Sequence, residues 1–251
     1  MNMAEIQASD LFLFTFKNCV ANIIRTLPSN VDPTDAITTN AIKIIASHLN
    51  GEYKRLQYVI WTIQARICED AAWASGTAVS AYELLAASVD PKFPHSNLQL
   101  PTLTGSMVIR DQMMRVCQAQ FNQTMTKSSW SRGLIDFLGQ TCTVGKMTST
   151  TPNIALDILD HMLGSVSLVK NENFDIFLGF FMRAGPFLDN LGYRDKLLVR
   201  VQKLVELAKT LGITEWLAVY GLLQMREKDW HIDGENGEPG NGLLGGVTDD
   251  G

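Results

Sequence analysis

Between about residues 10 and 228, apolar side chains return at intervals of three and four, and almost nowhere at intervals of two. A chain with that period buries its apolar stripes only by coiling into helices, because a strand needs alternation. The pattern predicts ten helices. The first runs from an Asp10 cap to Leu27 and stops at Pro28, and the second follows Pro33-Thr34 and reaches about Leu49. The third lies after Gly51, with Leu56, Val59, Ile60, Ile63 and Ile67 on one stripe, and the fourth covers about Ala72–Val89. Prolines 91, 94 and 101 make 90–104 a loop. Five and six span Ser106–Thr124 and Trp130–Thr143. The seventh opens at Thr151-Pro152, where the threonine can cap and the proline suits the first turn. The last three cover Phe174–Leu188, Tyr193–Lys209 and Thr214–Lys228.

Ten helices of about 15 residues joined by short turns are too many and too short for a four-helix bundle. Taken as five antiparallel pairs, each of roughly 40–47 residues, they have the period of a HEAT-repeat α-solenoid. The expected fold is therefore all-α, with residues 1–230 as one helical domain. From His231 the chain changes character. It carries Asp233, Glu235, Glu238, Asp249 and Asp250, no Lys or Arg, and glycine at 234, 237, 240, 242, 245 and 246. Residues 231–251 are expected to form an acidic, Gly-rich disordered tail. The net charge of −5 thus belongs to the tail, since residues 1–230 balance 21 acids against 21 bases.

The sequence carries no catalytic motif in a supporting context. Gly240-Asn241-Gly242-Leu243-Leu244-Gly245 fits the dinucleotide pattern but lacks the strand before and the helix after that the pattern needs. Asp157, Asp160 and His161 share a helix face, and a metal would need further ligands from elsewhere. No cofactor and no catalytic residue is expected. Four scattered cysteines (19, 68, 117 and 142) among apolar residues read as buried free thiols of a reducing compartment. No window has the roughly 20 apolar residues of a membrane span. The expected location is cytoplasmic, with the nucleus as a further compartment.

The ninth helix stands out. Arg194, Lys196, Arg200, Lys203 and Lys209 face only Asp195 and Glu206, so one side can meet RNA phosphates or an acidic partner, or simply water. Tyr193, Leu198 and Val199 also match the Tyr-x-x-x-x-Leu-hydrophobic pattern of cap-binding-protein ligands, although Leu197, Leu198, Val199 and Val201 are expected to face the core.

From residue 110 the chain resembles the middle domain of eukaryotic initiation factor 4G. Arg110, Met113, Met114, Cys117, Gln118 and Phe121 look like one helix of that family, and Arg132-Gly133-Leu134-Ile135-Asp136-Phe137-Leu138-Gly139-Gln140 is similar to the next. Lys146-Met147 fits the basic-Met pair that follows, and Leu223-Gln224-Met225-Arg226 with Trp230 resembles the end of the domain. Gly221 stands where that family's last helix usually carries an acid, and Trp216 and Tyr220 are atypical there. The resemblance implies five HEAT repeats and a non-catalytic scaffold in mRNA translation or mRNA metabolism. Its implied partners are translation or mRNA-processing proteins, among them a DEAD-box RNA helicase, and RNA. The expected binding residues are Arg194, Lys196, Arg200, Lys203 and Arg226. Arg226 has a second reading, in which it closes the last repeat beside Trp230. The alternative function is a homodimeric protein-interaction module without RNA contact.

Overall fold

The computed structural model describes residues 3–29, 35–94, 103–127, 129–143, 151–190 and 192–230. Among them lie eleven helices and no strand. These are α1 (Met3–Thr26), α2 (Ala36–Ser47), α3 (Tyr53–Glu69), α4 (Ala71–Ser75), α5 (Thr77–Ser88) and α6 (Ser106–Met125). Then follow α7 (Arg132–Thr143), α8 (Thr151–Leu163), α9 (Asn171–Asn190), α10 (Arg194–Thr210) and α11 (Ile213–Glu227). The chain is all-α, as the periodicity predicts. The acidic tail and Lys146-Met147 lie outside the described residues.

Two boundaries depart from expectation. Asp10 is no cap: α1 already begins at Met3. The expected fourth helix is two, α4 and α5, parted at Gly76 (φ −106°, ψ −78°). The break leaves α4 packed mainly on α7 and α5 mainly on α2 and α6, so each short helix serves a different principal neighbour. Elsewhere the local signals act as read. Asp35 caps α2 by accepting from the Thr38 amide at 2.7 Å, and Asp70 caps α4 by accepting from the Trp73 amide at 2.9 Å.

Helices pack on neighbours two or more places along the chain as well as on the next one. α1 lies on α3, α3 on α6, and α8 on α10, while α2 lies on α5, α4 on α7, α7 on α9, and α9 on α11. One continuous core results, running from Phe16 to Leu222. Its midpoint is aromatic: Tyr82 meets Phe137 edge-on at 6.1 Å, and Phe177, Phe180 and Phe181 are fully buried. Gly133 sits where α7 crosses the end of α3, and a Cβ there would lie 2.0 Å from the carbonyl oxygen of Ile67. That glycine sets how closely the two helices approach.

Candidate functional site

α10 buries Leu197, Val201, Leu204 and Ala208, spaced four, three and four residues apart. That spacing fixes the face turned outward, which carries Arg194, Lys196, Val199, Lys203 and Lys209. Val199 is 48% exposed and Leu198 half-buried, so only Leu197 and Val201 of the expected core group are buried.

The five sequence-predicted residues divide into two kinds. Arg194, Lys196 and Lys203 project into solvent. Lys196 rests over the Tyr193 ring, its Nζ 5.0 Å from the centroid. Lys203 remains 59% exposed, with Nζ 3.7 Å from Asp160 Oδ1. Arg200 is different: its side chain is only 15% exposed and forms an ion pair with Asp160 of α8. Its Nη1 also donates to the Lys196 carbonyl oxygen at 2.7 Å. The expectation that Arg200 lies free on the outer surface is thus corrected. Asp160 belongs to another helix, and an acid 40 residues away does not enter a count of charges along α10.

Arg226 is likewise engaged within the chain. Its Nε and Nη2 donate to the two Asp189 oxygens at 2.8 and 2.9 Å, and the Trp230 indole donates to the same carboxylate at 2.9 Å. Burial pushes the Asp189 carboxyl up. The hydrogen bonds from Arg226 and Trp230, with the charges of Arg226 and Arg194, outweigh it and hold the group below the usual carboxylate range. Trp230 packs on the core beside Phe181, with ring centroids 6.3 Å apart. This geometry suits the closing role of Arg226 and leaves its guanidinium little to offer a partner.

Asp160 is occupied by α10, and His161 Nδ1 donates to the Asp157 carbonyl oxygen at 2.8 Å. Among the described residues, no three His, Cys, Asp or Glu side chains gather as a metal site. Of the thiols, Cys117 and Cys142 are buried, and burial pushes Cys142 up to about 12. Cys68 is half-buried and Cys19 exposed, contrary to the expectation that all four are buried.

Two surfaces had no signal in the sequence. One is the outer face of α11, where Ile213, Leu217 and Tyr220 are 77, 60 and 50% exposed. The other is a cleft between α6 and α8. A helix period shows which residues share a stripe, and not which stripe is left uncovered. No helix among the described residues is long and apolar enough to cross a membrane. Comparison with known protein families and with curated proteins finds no match.

Proposed function

We propose that this chain is a non-catalytic scaffold of mRNA translation or mRNA metabolism, built as a HEAT-type α-solenoid of antiparallel helix pairs. Packing between helices two places apart supports the solenoid, since stacked pairs meet their neighbours that way. The resemblance to the middle domain of initiation factor 4G supports the setting, cytoplasmic and also nuclear. The observation that carries the binding role is the outer face of α10. Arg194, Lys196 and Lys203 stand exposed there on a helix anchored by the buried Leu197, Val201, Leu204 and Ala208. Cations held this way attract RNA phosphates or an acidic protein surface at long range. A DEAD-box RNA helicase and other translation or mRNA-processing proteins are the proposed partners. Arg200 and Arg226 hold the scaffold's shape.

The test is capture of partners from cell extract, with and without nuclease, comparing the wild-type chain with Lys196→Glu/Lys203→Glu. Loss of RNA or of a specific protein partner in the double variant is expected. Full retention of every partner removes α10 as the interface.

The exposed Ile213, Leu217 and Tyr220 of α11 favour a second reading, a homodimeric interaction module without RNA contact. A monomer mass that does not change with concentration rules it out.

A further inference from the structure

We infer that the cleft between α6 and α8 receives an apolar side chain from an amphipathic helix of a partner protein, with a Lys or Arg of that helix pairing with Asp157. α6 and α8 both pack on α7 yet hardly touch each other, which leaves a slot with α7 beneath it. Met114 and Phe121 of α6 face Ile154 and Ile158 of α8 across it, and Leu138 of α7 lies below. Phe121 and His161 meet edge-on at 6.2 Å and bridge the two walls at one point.

Size, shape and charge choose the occupant. The cleft holds about 230 Å³. Pockets for cofactors and drug-sized molecules run from about 300 to 1,000 Å³. This one is suited to one or two side chains. Both walls are helix faces with residues three, four and seven apart, so the slot runs along them for about two turns. That is the shape of a helix-in-groove site, read by anchors one turn apart. At the rim, Asp157 is exposed and its carboxylate makes no ion pair among the described residues, because Arg200 and Lys203 both turn to Asp160. A lone carboxylate beside an apolar slot complements a cation one turn from an apolar anchor and repels an acid there. This site gives the scaffold reading a specific kind of ligand and rests on that reading.

The test uses the purified full-length chain and synthetic 14-residue helical peptides. The panel places Leu, Phe, Met or Trp at the anchor and Arg one turn away. Matched sets carry Glu for the Arg or Ala for the anchor. Fluorescence anisotropy should find panel members that bind with micromolar dissociation constants. The Glu set should bind about fivefold more weakly, as a partly exposed charge pair allows. The Ala set should lose about tenfold or more. Asp157→Lys should reverse the charge preference. Gln118→Trp, at an exposed position on the α6 rim, should fill the slot and abolish binding while circular dichroism stays unchanged. The inference is overturned if no panel peptide binds, if Arg is still preferred with Asp157→Lys, or if Gln118→Trp leaves affinity intact. None of these outcomes bears on capture by α10, so failure here is distinguishable from failure of the scaffold reading.

Discussion

Asp189 and Arg226, 37 residues apart, meet edge to edge, with both carboxylate oxygens accepting from the guanidinium at 2.8 and 2.9 Å. The pair ties the end of α9 to α11, and the indole N–H of Trp230 adds a third bond to the same carboxylate. Gly185 makes this closure fit, because a Cβ there would lie 2.1 Å from the Trp230 ring. Trp230→Ala should therefore cost about 3 kcal/mol, the low end for a buried tryptophan because this one is only half-buried. Chemical denaturation measures it, and a change below 0.5 kcal/mol would show that the ring does not close the stack.

The turn that delivers Trp230 is strained in an informative way. Asp229 (φ 53°) and Trp230 (φ 65°) both occupy the left-handed region. The Trp230 amide donates to Met225 at 2.7 Å and the Asp229 amide to Arg226 at 3.1 Å. These are the two bonds of a Schellman C-cap, which prefers glycine where Asp229 stands. Asp229→Gly should raise stability by about 0.5–1 kcal/mol. A destabilised variant would mean that the aspartate side chain contributes more than its backbone strain costs.

Acid should loosen this end. The folded-state pKa of Asp189 is depressed, so the bound carboxylate stabilises the chain above the unfolded value of about 3.8. That contribution is lost as pH falls through the lower folded value. Asp70 acts in the same direction, its carboxylate lowered first by the Trp73 amide and also by Ser29 and Arg66, against a rise from burial. Melting temperature should drop between about pH 5 and pH 2. Asp189→Asn should be less stable at neutral pH and show a shallower drop. An unchanged slope would mean that Asp189 is not linked to folding.

Gly133 lies where α7 crosses α3, and the structure shows what its lack of a side chain does. The Ile67 carbonyl that an added methyl would meet is backbone and cannot swing aside. Gly133→Ala should destabilise by about 2–3 kcal/mol despite the better helix propensity of alanine. Neutral or improved stability by thermal melt would show that α3 and α7 can separate freely.

Periodicity was enough to find helices because each stripe is a local pattern. α10 and α11 begin and end within one or two residues of the expected limits. Gly76 was ambiguous, since a single glycine is tolerated inside a helix and only the different neighbours of α4 and α5 make it a break. The site was legible as a set of charges and not as a constellation. Arg200 with Asp160, and Arg226 with Asp189, pair across 40 and 37 residues. Nothing in the local spacing distinguishes them from Lys196 and Arg194. The α6–α8 cleft depends on two helices failing to meet, which no stripe records.

The bases of α10 provide the sharpest separation between holding the fold and meeting a partner. Arg200 is mostly buried, its Nε has no hydrogen-bond partner among the described residues, and its charge faces Asp160. Arg200→Glu would set two carboxylates against each other in a partly dry contact, and removing one partner of such a pair costs about 3 kcal/mol. The Lys196 side chain is exposed and lies over the Tyr193 ring, a contact worth about 0.5–1 kcal/mol at an exposed site. Lys196→Glu should therefore shift stability by no more than about 1 kcal/mol. Thermal melts of the two variants, each paired with partner capture, separate the effects. Arg200→Glu should lower the melting temperature by several degrees, with capture recovering when the assay is run well below the new midpoint. Lys196→Glu should keep its melting temperature and lose capture at every temperature. If both variants melt alike, the Asp160–Arg200 contact does not hold α8 to α10, and Arg200 returns to the candidate interface.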